Sequence, residues 1–286
     1  MGLKRFVPAP LIPPLLSLRH RLRVLNRKLR GQEMDERRFR ALLEELGFRP
    51  GAVVMVHSSM QAVAERVPGM EPVALISLLQ EMLGEEGTLL MPTFPFSGLQ
   101  RDYVQETREF KPRRTPSRMG LLTEVFRRTE GVIRSRHPTH PVAAWGRLAE
   151  ELTADHHHGT AFGTTSPLYR LREHDGRVVA LGASPTSFTV FHVAEELHPA
   201  THAWNYDDLE VEMLIVEKGR ETEPCVVRPL RGDRKRNFWP AVEGLKERGI
   251  LRHEYVRGLE IATTDAAGFL DGCARLIDEG RFQDMS

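Results

Sequence analysis

Residues 177–196, RVVALGASPTSFTVFHVAEE, restrict the possible folds more than any other stretch. Val178-Val179-Ala180-Leu181 is a short apolar run suited to a buried strand, and Gly182 ends it. Ser184, Thr186 and Ser187 are all good helix N-caps, and Pro185 stands where a helix is about to begin. A helix from about Phe188 to Leu197 places His192 in its second turn. Glu195 and Glu196 then lie three and four residues on, on the same face. The unit is strand, turn, helix, with an imidazole near the strand's C-terminal edge, where open α/β sheets hold their ligands. A carboxylate beside an imidazole fixes its tautomer and supports the imidazolium, which are the parts of a general base. The same pattern also fits a surface helix that merely carries a His–Glu pair.

The alternation extends through the chain. Asp35 caps a helix predicted to reach Leu46, with Leu42, Leu43 and Leu46 inward and Gly47 as its stop. Ala52-Val53-Val54-Met55-Val56 reads as a buried strand ending in His57-Ser58-Ser59. A helix over about 71–83 follows, then a strand over 88–91 ending in Pro92-Thr93-Phe94. Small polar side chains and backbone amides at such strand ends suit a phosphate or pantetheine chain. Residues 96–118 lack periodicity and read as a long surface excursion, of a kind that often serves binding. Thr115-Pro116-Ser117-Arg118-Met119-Gly120 opens a helix predicted to about Arg128. Prolines beside His137 and His140 stiffen the backbone just before an apolar strand. Beyond Leu197 the pattern predicts strands over 210–216 and 224–229, a helix over 240–248 and a strand over 253–257. The last helix, 264–279, is amphipathic, with Phe269, Leu270, Cys273, Leu276 and Ile277 inward.

Composition excludes several classes. At 286 residues, 41% hydrophobic and 28% charged, the chain is typical of a globular α/β protein of one large domain or two smaller ones. A net charge of +1 argues against a nucleic-acid-binding surface. Cys225 and Cys273 match no zinc or redox spacing, so buried thiols in a reducing, cytoplasmic setting are expected. No apolar run is long enough to span a membrane. Residues 1–33 form a separate basic arm ahead of a single domain over 34–286. Its four prolines in VPAPLIPPLLSL break any signal-peptide core. Leu18, Leu22, Leu25 and Leu29 recur at helical spacing among arginines, which makes a basic amphipathic helix. Such a helix suits packing on its own domain, self-association with a sister subunit, or a peripheral anionic membrane surface.

The run His156-His157-His158, taken with His137 and His140, has enough imidazoles for a catalytic zinc. Consecutive histidines point different ways on a regular backbone, however, and no HExxH or cysteine cluster supports them. The expectation is a solvated loop before Gly159 and no metal.

From Asp35 to Glu279 the chain resembles the aminoglycoside 3-N-acetyltransferase family, the antibiotic N-acetyltransferases distinct from the GNAT fold. The resemblance lies in VMVHSSM, LLMPTF, TPSRMGLLTEVFRR, RSRHPTHPVAAWG, FGTTSPLYRL and VVALGASPTSFTVFHVAEE, which occur in family order. It implies a three-layer α/β/α sandwich around a mixed sheet, acetyl-CoA as donor, and a primary amine of an amino sugar or aminoglycoside-like molecule as acceptor. It assigns catalysis to His192 and Glu195. It assigns CoA contacts to His57, Ser58 and Ser59, to Thr115, Pro116, Met119 and Gly120, and to Ser135 and His137; Thr93 joins these candidates from its place at the end of the second strand. The resemblance thins in the last third. Drug-modifying members carry acidic residues at a strand end there, whereas Val227-Arg228-Pro229-Leu230-Arg231-Gly232 is basic. That charge points to a less cationic or even anionic acceptor, such as an amino sugar on a nucleotide or glycan. No cysteine falls in any motif, which favours direct transfer over an acyl-enzyme. A metal-dependent hydrolase built on the histidine-rich segments and a non-catalytic CoA-binding protein stand as alternatives.

Overall fold

A computed structural model describes residues 32–202, 205–232 and 236–283. The arm expected over 1–33 falls outside the described residues except for Gln32 and Glu33, and so does the basic run at 233–235. The first described helix, Glu36–Leu46, begins where Asp35 Oδ1 accepts from the Arg38 amide at 2.8 Å. It ends at Gly47, whose φ of 105° and closeness to the Arg177 side chain leave no room for a Cβ.

Among the described residues, ten strands follow in chain order: β1 (Val53–Ser58), β2 (Thr88–Pro92), β3 (Glu109–Phe110), β4 (Ile133–Arg134), β5 (Val142–Gly146), β6 (Arg177–Leu181), β7 (Val211–Ile215), β8 (Glu223–Val227), β9 (Arg252–Val256) and β10 (Leu259–Asp265). The main sheet has the order β4-β5-β2-β1-β6-β10-β9. Its centre, β2-β1-β6, is parallel, and β5 and β10 flank it antiparallel. A smaller sheet, β3-β7-β8, stands apart from it.

Side chains alternate along a strand, so each strand feeds two cores. Val53, Met55, Leu90, Val178 and Ala180 face one side, where Phe188, Phe191, Leu245 and Phe269 cover them. Val54, Val56, Leu89, Val179 and Leu181 face the other, under Phe39, Leu43, Leu79 and Phe126. Strands buried on both faces read as continuous apolar runs, as AVVMV and VVAL do. The result is the expected three-layer α/β/α sandwich around a mixed sheet.

Four local expectations are revised. Residues 96–118 are not structureless: they hold a helix, Gln100–Glu106, and the two-residue strand β3, which pairs with β7 over a hundred residues away. A strand that short carries no periodicity to detect. Thr264 belongs to β10, drawn into the sheet by β6, and the last helix starts at Ala266 with Asp265 as its cap. His192 lies in the first turn of its helix, because Pro185–Ser187 forms a separate 3-10 turn and the α-helix is Val190–Leu197. Finally, His156–His158 is a 3-10 turn rather than a solvated loop, with His156 fully buried. Cys225 and Cys273 are free and buried, as anticipated. Among the described residues, no helix is long and apolar enough to cross a membrane.

Candidate active site

The C-terminal ends of β2, β1 and β6 open on the same edge of the sheet, bringing Thr93, His57-Ser58 and Gly182 together. At Gly182 the chain must turn sharply. Its φ is 72°, and a Cβ there would lie 2.7 Å from the Ala62 side chain, so glycine alone fits between strand and helix. Ser184 then caps the 3-10 turn by accepting from the Thr186 amide, and the chain enters the helix Val190–Leu197.

His192 stands at the start of that helix, 21% exposed, and its Nδ1 lies 2.7 Å from Oε2 of fully buried Glu195. With Glu195 ionised, the ring proton of neutral His192 sits on Nδ1 and donates to the carboxylate. Nε2 is left with its lone pair. Phe162 and Phe238 hold the ring, at centroid distances of 5.1 and 5.5 Å. Thr201 Oγ1 donates to the Glu195 carbonyl at 2.6 Å, which anchors the end of the same helix. Glu196, expected on the same face as Glu195, instead turns away and accepts from Thr160 Oγ1 at 2.8 Å.

A third group completes the arrangement. Arg236 Nε lies 3.3 Å from Glu195 Oε2, and its terminal nitrogens donate to Asn205 Oδ1 at 2.7 Å and to the Arg231 carbonyl at 3.1 Å. Two residues on, Phe238 stacks on Phe191 with the rings 4.4 Å apart, which draws this segment against the helix. In the sequence Arg236 belongs to a basic run with no apparent link to Glu195. The only hint is the aromatic pair after it, and that says nothing about which carboxylate the guanidinium meets.

His192 opens on a cavity of about 550 Å³ that also contacts Phe94, His140, Thr189 and Trp239. Thr189 Oγ1 is buried and has no hydrogen-bond partner among the described residues. A second cavity of about 530 Å³ lies across the strand ends and is lined by Ser58, Ser59, Met60, Met119, Gly120 and Leu121. Ser59 also caps the short helix Met60–Ala64. Phe94, on the wall of the first cavity, accepts through its carbonyl from the amide of Arg118, the residue before Met119 of the second. His57 is buried with its ring 5.4 Å from Phe188. Burial pushes its pKa down to about 3, and Nε2 has no partner among the described residues.

The other expected contact residues lie elsewhere. Thr115 accepts from the Lys111 amide, and Pro116 is exposed. Thr93 and Ser135 are buried and line neither cavity. Thr93 Oγ1 donates to the Pro141 carbonyl at 2.9 Å and accepts from Arg134 Nε at 2.9 Å. His156 Nε2 donates to the Ala161 carbonyl, so its Nδ1 accepts from Ser135 Oγ, at 2.9 Å. His137 and His140 are buried and held well below the ordinary histidine pKa by desolvation, then by neighbouring imidazoles. His137 lines a third cavity, on the side of the small sheet.

His157 and His158 do converge, contrary to the expectation that they diverge. Their Nε2 atoms lie 3.1 and 2.9 Å from the same oxygen of Glu223 on β8. Among the described residues, these are the only three such side chains whose donor atoms come within 4.8 Å of one another. Arg136 supplies a positive charge at that point, 2.8 Å from the other Glu223 oxygen and 2.9 Å from His157 Nε2. The triplet therefore joins the small sheet to the body, away from His192.

The fold and the site define an α/β protein with a His–Glu pair at the C-terminal edge of a mixed sheet, beside one of two ligand-sized cavities. A sequence model of aminoglycoside 3-N-acetyltransferases matches residues 55–278, and the chain belongs to that family. Aminoglycoside N(3)-acetyltransferase IX of Micromonospora chalcea is 34% identical over 180 residues, 58% of this chain and 63% of that relative. The chain thus spans less than two thirds of that protein's length. The solved structure of aminoglycoside acetyltransferase AAC(3)-Xa superposes with a TM-score of 0.73 at 27% identity, covering 91% of this chain and 98% of that one. AAC-IIIb, solved as a binary complex with CoASH, gives 0.70 at 25% identity, covering 86% and 97%.

Proposed function

We propose that the protein is an acetyl-CoA-dependent N-acetyltransferase that acetylates a primary amine by direct attack on the thioester, with His192 as base and Glu195 as its support. The observation that carries this reading is the 2.7 Å contact between His192 Nδ1 and Glu195, which leaves Nε2 facing a ligand-sized cavity. A protonated amine cannot attack a thioester, so a base must remove its proton. The neutral amine, its ammonium proton given up to solvent, bonds through nitrogen to the thioester carbonyl carbon, and the further N–H proton lost in forming the amide passes to His192 Nε2. The carbon–sulfur bond then breaks, and the proton is returned to the departing thiolate. Glu195 stabilises the imidazolium between the two transfers. Negative charge on the carbonyl oxygen needs a donor, and the unpartnered Thr189 hydroxyl on the same cavity wall is the best placed candidate.

On this reading the donor lies along the second cavity, with its pantetheine arm crossing from Ser58, Ser59, Met119 and Gly120 towards His192. Thr115 and Pro116 would act by shaping the turn that leads to Met119 and Gly120, and His57 offers a buried ring nitrogen. Thr93, Ser135 and His137 would act by holding the strand ends in place. The relative that was solved with CoASH supports acetyl-CoA as cosubstrate, and the family name makes an amino sugar or aminoglycoside the first acceptor to test. The acetyltransferase domain is taken as 34–286. Two buried free cysteines suit a reducing cytoplasm.

The test is thiol release from acetyl-CoA in the presence of a panel of amines, with and without His192→Ala. Amine-dependent release that depends on His192 is expected. Equal release from the variant would overturn the assignment. Tight CoA binding with no turnover of any amine would favour a non-catalytic CoA-binding protein.

A further inference from the structure

We infer that Arg236 is a positioning residue for the transfer: it is the fixed counter-charge of Glu195, and by filling that place it leaves His192 neutral, with a lone pair on Nε2. This rests on the acetyl-transfer reading of the same site. Glu195 is fully buried, and a buried carboxylate keeps its charge only beside a cation. Among the described residues its ion-pair partners are His192, at 2.7 Å, and Arg236, at 3.3 Å, and both meet the same oxygen, Oε2. An imidazole that supplied the cation would be protonated on both nitrogens and could take no proton from an amine. A guanidinium stays charged at every working pH, so with Arg236 in place the ring is free to be neutral.

The guanidinium is held for this task. The Arg236 side chain is 13% exposed. Its terminal nitrogens donate to the Arg231 carbonyl at 3.1 Å, to the Asn205 carbonyl at 3.2 Å and to Asn205 Oδ1 at 2.7 Å. Asn205 is itself fully buried, and its carbonyl also accepts from the Arg231 amide. Nε makes no hydrogen bond among the described residues, so what it gives Glu195 is charge rather than an aimed proton. The other titratable groups acting on the pair, or feeling it, come from three further segments. Burial raises the Cys273 thiol and the Tyr206 hydroxyl, and the Glu195 charge adds to both. Burial lowers His140, with His192 next among the causes. All three are therefore uncharged at neutral pH, while Glu196 is turned to Thr160. With His192 neutral, Glu195 and Arg236 cancel. Without Arg236 the same state would be an unpaired buried anion, and the His192–Glu195 pair would keep its extra proton to higher pH.

Wild type, Arg236→Gln and Arg236→Lys are compared in two ways. One is an NMR titration of the His192 ring, identified by its loss in His192→Ala, which needs no acceptor. The other is the pH profile of thiol release from acetyl-CoA with one amine throughout. In Arg236→Gln the ring should take up its second proton about one to three pH units higher than in wild type, and the acid limb of kcat should move with it. Turnover at neutral pH should fall roughly tenfold or more and return towards wild type in alkali, with KM for acetyl-CoA unchanged. Arg236→Lys should reverse most of both shifts, because a charge is what is required. A mere strut would lower kcat equally at every pH and leave the ring titration where it was, and that result overturns the inference. If Arg236→Gln does not fold, Asn205→Ala, which frees one end of the guanidinium, should move the ring titration the same way by less; an unmoved ring there overturns the inference too. If no amine releases thiol, the acetyl-transfer reading fails, and the ring titration still decides whether Arg236 sets the protonation of His192.

Discussion

His192 and His156 differ in their surroundings, which give one residue type two different settings. His192 is partly exposed, bonded through Nδ1 to the Glu195 carboxyl group, and lines a cavity. His156 is fully buried with both nitrogens committed, to Ser135 and to the Ala161 carbonyl, and burial holds its pKa down to about 4. His137 and His140 are depressed in the same way. A ring with a spare nitrogen and a supporting anion can exchange protons with a ligand. A neutral ring bonded at both ends is a structural member.

The comparison is broken most directly at His192. His192→Ala should keep the fold and CoA binding but lower turnover by roughly two to four powers of ten, the usual loss for a general base. Steady-state and CoA-binding measurements on the purified variant decide it, and wild-type turnover would place His192 with the structural histidines.

Glu195→Gln should cost less turnover than losing the base, yet more stability. Removing one partner of a buried ion pair leaves Arg236 without its anion, a penalty of roughly 3 kcal/mol. Urea denaturation alongside kinetics separates the two effects. An unchanged midpoint would mean that Arg236 contributes nothing through Glu195.

The buried histidines should show themselves in acid. His57 and His156 have folded values of about 3 and 4, against an ordinary value of 6.5. Between those limits the unfolded chain binds more protons than the folded one. Their contribution is therefore complete above about pH 6.5 and is lost as pH falls towards 3–4, at no more than about 1.4 kcal/mol per pH unit per group. Unfolding midpoints at successive pH values from neutral to mildly acidic should fall steadily, and a flat profile would show that these rings are hydrated.

The smallest effect is expected at Ser135. Ser135 Oγ accepts from the Val142 amide and donates to His156. Ser135→Ala should cost about 1–3 kcal/mol of stability by orphaning buried groups. A fall in CoA affinity without loss of stability would instead make Ser135 a ligand contact.

Much of this architecture was legible in the sequence because its signals are local. The runs AVVMV and VVAL, the glycine stops at Gly47 and Gly182, and the Ser-Pro helix start at Ser184 each express a short-range preference. The His192–Glu195 pair was legible for the same reason, since three residues on a helix always bring two side chains together. Local signals cannot see partners that are distant in the chain. The Arg236–Glu195 contact spans 41 positions, and the pairing of β3 with β7 spans about a hundred; neither leaves a periodicity. Likewise, His156, His157 and His158 look identical as a run, and only packing separates a buried strut from two rings that meet Glu223.

The sequence by itself determined most of the elements, their order and the pairing of His192 with Glu195, because backbone propensity and helical spacing act over a few residues. The tertiary structure decided which groups line the cavity at His192. It buried Ser135 and Thr93 away from both cavities and turned Glu196 towards Thr160. It also placed Arg231 and Arg236 on the wall of that cavity. Those outcomes depend on burial and charge pairing between distant segments, which are settled only when the layers pack.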